Sequence, residues 1–302
     1  MLDGHDHDTA GTRRLGIALW LTAGFMVAEA IGGYLAGSLA LLADAGHMLT
    51  DTAALSMAFL AARLSARPAD PRRSYGYQRV RVLAALVNSL ALIALVAWLV
   101  VEAVLRLLSP QPVDAPLMLV IALLGAALNL GVAFLLRHGH EHAHDINLSA
   151  AYAHVLSDLA GSVAATVAAL AILFTGWTRA DPLLSLLIAV LIARMAIRLL
   201  RRSAHILMEG TPEGLDTVQL ADGLVREVAG IDDVHHVHAW SLGTSDVLVT
   251  LHVRLAPGGA PDQALADVKA WLLRRYGVEH STVQLERGDC ADERRSGARA
   301  AG

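Results

Sequence analysis

His47 and Asp51 stand four residues apart in "HMLTD", and His154 and Asp158 repeat that spacing in "HVLSD". Both stretches sit inside long apolar runs. Residues four apart on a helix share a face, one turn apart, so each pair forms an edge carrying one imidazole and one carboxylate. Two such edges facing each other would suit a tetrahedral divalent cation, zinc above all. Their two carboxylates would neutralise its charge in a medium of low dielectric. An aspartate at mid-membrane depth costs on the order of 2.5–3.5 kcal/mol on insertion scales, and a bound cation offsets that cost. For one isolated pair the plain alternative is a hydrogen bond that ties a helix to itself. The same spacing in two separate spans favours ligands. Asp44, one turn before His47, adds a third carboxylate nearby.

The elements that must position these edges are membrane spans. The 302-residue chain is 55% hydrophobic with a mean hydropathy of +0.50 and only 17% charged residues, which places it outside the ordinary soluble class. Six apolar segments can be drawn, at 15–37, 39–63, 80–108, 116–136, 148–175 and 181–208. Only "AGS" separates the first two, which predicts a tight helical hairpin, and the prolines of "SPQPVDAP" end the third. Arginines crowd the loop between the second and third segments (Arg63, Arg67, Arg72, Arg73, Arg79, Arg81), precede the first (Arg13, Arg14) and end the sixth (Arg198, Arg201, Arg202). The positive-inside rule then puts both termini in the cytoplasm. Arg106 departs from it and is expected to snorkel. No cleavable signal peptide is read at the N-terminus, and the absence of other targeting signals points to a prokaryotic inner membrane.

From about residue 209 the composition turns polar. The order helix (212–229), strand (232–242), strand (246–255), helix (261–276), strand (280–286) predicts a small α+β domain. The chain thus divides into a His-bearing N-terminal tail (1–12), a six-helix membrane domain (13–208), a cytoplasmic αββαβ domain (209–288) and a tail without a core-forming pattern (289–302). A net charge of −4 offers no basic face for nucleic acid. The single cysteine, Cys290, excludes an intramolecular disulfide and thiolate metal cages.

Other histidines fall in clusters. "RHGHEHAHD" carries His138, His140, His142 and His144, a tract that by composition binds metal weakly and raises its local concentration; His5 and His7 could act alike. "VHHVHAW" carries His235, His236 and His238, and His252 lies on the next strand. Strand alternation sends His236 and His238 to one face and His235 to the other. Neighbouring strands could bring His235 to His252, with the register left open. Glu29, Asn88, Glu102 and Asn129 lie in or at the ends of spans, where polar groups usually face the bundle interior; Glu29 and Asn129 read as groups beside the metal path.

These features together resemble the cation diffusion facilitator family, over residues 13–288. The paired HxxxD edges carry the resemblance, with "SYGYQRVRVLAALVN" entering the third span. The resemblance implies six spans, cytoplasmic termini, a ferredoxin-like cytoplasmic domain and a homodimer. It implies that His47, Asp51, His154 and Asp158 form the transport site between spans two and five. Histidine at the first position resembles the zinc-preferring branch, with Cd2+, Co2+ and Ni2+ as further candidates. It also points to His235, His252, His280 and Glu286 as a cytoplasmic metal site near the dimer interface. The family's site in the loop after span two is not expected here, since that loop holds Asp70 but no histidine.

The sequence has no phosphate-binding loop, so a gradient must drive transport. Metal binding needs neutral imidazole and ionised carboxylate, so the same four groups can carry a metal ion or protons. That predicts proton antiport by alternating access, with no organic cofactor. Three rivals remain at this point. An intramembrane metalloenzyme lacks the HExxH pattern, a haem- or quinone-binding electron carrier does not explain the aspartates, and a membrane-anchored metal sensor needs no buried charges.

Overall fold

The computed structural model describes the backbone of residues 5–140, 146–243, 246–290 and 292, and side chains from residue 21, apart from those of 135–154. Six long helices come first: α1 (His5–Ala36), α2 (Leu39–Ser65), α3 (Arg79–Leu108), α4 (Ala115–His140), α5 (Ile146–Thr175) and α6 (Ala180–Leu207). Then follow α7 (Thr217–Glu227), β1 (Ile231–Ser241), β2 (Val247–Leu255), α8 (Pro261–Tyr276) and β3 (His280–Glu286). The chain forms two compact units, Met1–Met57 with Val87–Leu200, and Ala58–Leu86 with Arg201–Gly302.

In the first unit, small residues let helices approach closely. Ala40 and Leu41 of α2, Ala122 of α4, and Ala165, Ala168 and Ala169 of α5 share one buried cluster, while Leu39 and Ala43 pack with Leu99, Ala103 and Ala189. Such residues bring backbones together where lipid gives no hydrophobic drive between helices. Outward-facing Val101, Leu124, Val167 and Leu187 are each more than half exposed, as a lipid-facing surface requires. Among the described residues four segments are long and apolar enough to cross a bilayer: Arg79–Leu108, Ala115–Phe134, Val155–Thr175 and Ala180–Leu207. The described part of α1 adds the shorter apolar stretch Leu21–Ala36. Within α2, Asp44, His47 and Asp51 interrupt the apolar run.

The turn between α1 and α2 is the hairpin expected from "AGS". Gly37 has φ +67°, Ser38 N–H donates to Gly33 O at 3.0 Å and Gly37 N–H to Tyr34 O at 3.2 Å. This is the Schellman closure, which needs a left-handed residue at Gly37. Asp181, at the start of α6 and fully buried, then holds the start of α2. Its carboxylate accepts from Ser38 Oγ (2.6 Å), Leu39 N–H (2.7 Å) and Ala40 N–H (3.1 Å). It satisfies N–H groups that a helix start otherwise leaves unpaired. Arg106 reaches Gly37 O at 2.6 Å and Glu102 at 2.8 Å, so its exceptional position serves the same turn.

In the second unit, β1 pairs antiparallel with β2, and β2 pairs parallel with β3 through α8. Val249, Leu251 and Val253 of β2 point to the face covered by Leu220 and Leu224 of α7 and Val268, Trp271 and Leu272 of α8. Thr250, His252 and Arg254 therefore face the other way. The three-stranded sheet with two helices on one face is the α+β layer expected from the element order.

Replacing Asp181 by Ala leaves the buried N–H groups of Leu39 and Ala40 without an acceptor. Charged hydrogen bonds of this kind are worth roughly 1.5–3 kcal/mol. Thermal unfolding in detergent should therefore shift clearly downward for Asp181→Ala and less for Asp181→Asn; an unchanged melting curve for both would show that this cap does not secure α2.

Candidate metal centres

His47 and Asp51 lie on one face of α2, with Nε2 and Oδ2 3.7 Å apart. Asp158 of α5 is 3% exposed and Asp44 of α2 is 7% exposed. The two helices meet where α5 has no side chain: a Cβ at Gly161 would sit 3.3 Å from Asp44 Oδ1. A side chain there would press on the carboxylate by a few tenths of an ångström, and glycine leaves the approach free. The shared buried cluster beyond this point runs α2 and α5 in opposite directions. Counting along antiparallel helices from Asp44 and Gly161, His47 comes level with Asp158, three residues on in each. Asp51 comes level with His154, another four residues on. The backbone of His154 belongs to α5, and its side chain lies outside the described residues.

Two further polar groups border this region. Glu29 of α1, 1% exposed, hydrogen-bonds the Asp44 carboxyl. Asn129 of α4, also 1% exposed, donates to Ser162 Oγ at 3.4 Å, and Ser162 is one turn beyond Asp158. Asn88 is buried, and Glu102 is taken up by Arg106.

The second candidate centre is on the open face of the β1–β2–β3 sheet. The register pairs His235 directly with His252, and Arg254 with Glu286. His235 Nε2 is 3.1 Å from Glu286 Oε2, and His252 Nδ1 is 3.1 Å from Glu286 Oε1. Cys290 Sγ is 3.5 Å from His252 Nδ1. One donor atom from each of His235, His252, Glu286 and Cys290 lies within 4.8 Å of all the others. Asp233 Oδ2 accepts from His235 Nδ1 at 2.9 Å, which leaves the Nε2 lone pair aimed into the group; this carboxylate–histidine arrangement is usual behind a metal ligand. Burial works against the Glu286 charge. Hydrogen bonds from Gln284 and Cys290 and the two imidazoles outweigh it and hold the carboxyl below its ordinary value.

Three sequence expectations change here. His280 does not join the group: it opens β3 beside Leu248, and its ring sits edge-on to Tyr75 with centroids 6.3 Å apart. Cys290 does join it. Exclusion of thiolate cages did not exclude one thiol, and its residue lies in the segment expected to have no core, yet it is 3% exposed. His236 does not alternate away from His235. A register shift between His235 and His238, with His236 at φ +49°, bulges β1. The bulge puts the His236 ring 5.4 Å from that of His235 and 5.0 Å from that of His252. No short-range pattern in the sequence marks the approach of Cys290, which depends on where β3 ends relative to β2.

Asp70 is engaged in its own turn. Its Oδ1 accepts from the N–H groups of Arg72 and Arg73, both at 2.8 Å, and Oδ2 from Tyr77 Oη at 2.8 Å. The histidines His138, His140, His142 and His144, with His5 and His7, lie outside the described side chains.

A membrane-type helical unit carrying the half-buried His47–Asp51 edge and the buried Asp158, and a second unit with a donor cluster, point to a membrane protein that handles metal cations. The model of the cation efflux transmembrane domain matches residues 15–208, and that of the cation efflux protein cytoplasmic domain matches residues 216–288. The chain belongs to the cation efflux family of membrane transporters. It is 45% identical over 296 residues to the zinc transporter ZitB of Escherichia coli (strain K12), covering 96% of this chain and 94% of that protein. It is 36% identical over 291 residues to the cadmium, cobalt and zinc/H(+)-K(+) antiporter of Bacillus subtilis (strain 168), covering 94% and 92%. It is 37% identical over 287 residues to the metal cation efflux system protein CzcD of Cupriavidus metallidurans, covering 95% and 90%. These transporter relationships remove the metalloenzyme and electron-carrier alternatives.

Asp70 supplies a test of its turn. Hydrogen bonds from Tyr77, then Arg72 and Arg73, with the nearby Arg73 charge, hold its carboxyl below the ordinary carboxylate value. A lowered folded value means that this turn is favoured above the ordinary pKa and released as pH falls through the lowered one. A carboxyl-labelled NMR titration should find Asp70 titrating below about 3.9, and Tyr77→Phe should move it upward; no movement would remove Tyr77 as the main donor.

Proposed function

We propose that this chain exports Zn2+ in exchange for protons, through a tetrahedral site of His47, Asp51, His154 and Asp158 between α2 and α5. Cd2+, Co2+ and Ni2+ fit the same ligands. The observation that carries this reading is the seating of Asp44 on Gly161. It supports an antiparallel register of α2 and α5 in which the two HxxxD edges would come level. The names of the relatives support zinc, cadmium and cobalt as cargo and antiport as the mode.

The chemistry follows from the ligand types. An incoming Zn2+ needs neutral imidazoles and ionised carboxylates, so it expels the protons held there. Two carboxylates cancel its charge within an apolar bundle, where an uncompensated ion would be costly. On the far side, protons compete for the same groups, and metal leaves. Glu29 and Asn129 line the approach. In this reading all six long helices span a prokaryotic inner membrane with both termini in the cytoplasm, and two chains form a homodimer. His235, His252 and Glu286 then form a cytoplasmic metal site, whose occupancy biases the spans by shifting populations. The histidine tract at 138–144 and the N-terminal His5 and His7 would gather metal weakly.

Reconstituted into proteoliposomes, Asp51→Ala and Asp158→Ala should abolish zinc flux while leaving folding intact by thermal melt; transport at the wild-type rate in either would sink the site. Coupling is tested separately. An imposed pH gradient should accelerate wild-type zinc flux in one direction and slow it in the other, and zinc movement should itself carry protons. Flux indifferent to the gradient would leave the site but remove the antiport.

A further inference from the structure

Within the cytoplasmic cluster, two buried atoms are in an unstable relation. His235 Nε2 and Glu286 Oε2 face each other at 3.1 Å, yet neither makes a hydrogen bond. With Asp233 taking the Nδ1 proton of His235, a lone pair meets a carboxylate oxygen. Only a positive charge between them makes that arrangement favourable. His252 Nδ1 approaches the other oxygen of Glu286 at 3.1 Å, and Cys290 Sγ stands 3.5 Å from the same nitrogen. Glu286 is 9% exposed and Cys290 is 3% exposed, so water does not fill the role freely.

We infer that Cys290 is the fourth ligand of a metal site contained within one chain, completed by His235, His252 and Glu286, and that its sulfur makes this site selective for thiophilic divalent ions. This rests on the cytoplasmic site proposed above and deepens it. The distances support it. Zn–N bonds of about 2.0–2.1 Å and Zn–S bonds of about 2.3 Å put neighbouring ligands of a tetrahedral site roughly 3.3–3.7 Å apart. The contacts at 3.1, 3.1 and 3.5 Å already lie in that range or within about 0.2 Å of it. The widest separation, within 4.8 Å, closes with about 1 Å of side-chain movement. The thiol now donates to Glu286; binding replaces that proton by the metal and releases it to solvent. Soft sulfur beside two imidazoles favours Zn2+, Cd2+ and Co2+ over Mg2+, Ca2+ and Mn2+. The ligand set needs neither His280 nor a residue of a second chain. It also ties down the segment that leaves β3, four residues beyond Glu286.

Cobalt gives a direct test, because Cys290 is the only cysteine in the sequence. Any sulfur-to-cobalt charge-transfer absorption must come from it. Purified full-length protein in detergent, kept reduced, is titrated with Co2+, with a His235→Ala/His252→Ala variant as the reference for all other cobalt sites. The wild type should show the charge-transfer band at about one Co2+ per chain above the reference. Cys290→Ser should lose the band, keep ligand-field absorption from the cluster, and bind there at least about tenfold more weakly. Zn2+ and Cd2+ should also protect Cys290 from alkylation by iodoacetamide, whereas Mg2+ should not. Extra cobalt in the wild type without the band would overturn the sulfur ligand and leave the cytoplasmic site standing. No extra cobalt in the wild type would overturn both. A band that persists undiminished in the reference variant would place the thiolate–metal bond elsewhere and overturn the ligand set.

Discussion

A carboxylate buried among apolar helices has to be compensated from within the protein, because neither lipid nor packed side chains can solvate it. This molecule answers that constraint in two ways. Asp181 is compensated by structure: it takes three donors from residues 38 to 40 at 2.6–3.1 Å, and nothing about it awaits a partner. Asp44 and Asp158 are placed differently. They are carboxyls on facing helices, with Glu29 hydrogen-bonded to Asp44. Such grouping is costly for a scaffold and useful for a cation. The same residue type therefore reads as scaffold or as site according to what faces it.

The two solutions are also linked. Asp181 fixes where α2 begins and the Schellman turn fixes how the chain enters it. The phase of α2 then decides that Asp44 faces α5 at Gly161, with His47 three residues on. Gly161 supplies the matching gap on the other helix. A cap supplied from α6 to the start of α2, a left-handed glycine in the α1–α2 turn and a missing side chain on α5 are thus the features on which the proposed alignment of the α2 and α5 edges rests.

What the sequence made legible was local. The HxxxD spacing is a property of one helix turn, and helix ends follow from glycine, proline and charge; the second and third segments, drawn at 39–63 and 80–108, match Leu39–Ser65 and Arg79–Leu108 within two residues. The αββαβ order follows from alternation and length in the same way. The cytoplasmic donor set was only half legible. His235 against His252 required a register, and β1 sets that register through a bulge that no propensity announces. The bulge also defeats the alternation rule at His236. Cys290 and His280 exchange roles for a related reason. His280 opens β3 and Cys290 follows it, and the parallel pairing of β3 with β2 decides which end meets His252. That pairing spans about thirty residues of chain through α8, so residue types alone could not choose between them.

In the proposed reading, ligand softness gives the two centres different tasks. A transport site must release its ion in every cycle, so its donors should be groups that protons can reclaim. Imidazole and carboxylate meet that need, since both exchange metal for protons within a few pH units of neutrality. A thiolate would hold Zn2+ or Cd2+ more tightly and slow its departure. The only cysteine of the chain lies on the face of the soluble sheet, next to two imidazoles and a carboxylate, and not in α2 or α5. Placed there, strong binding costs the transport cycle nothing. It suits a site that stays occupied while metal is abundant and empties only when metal is scarce.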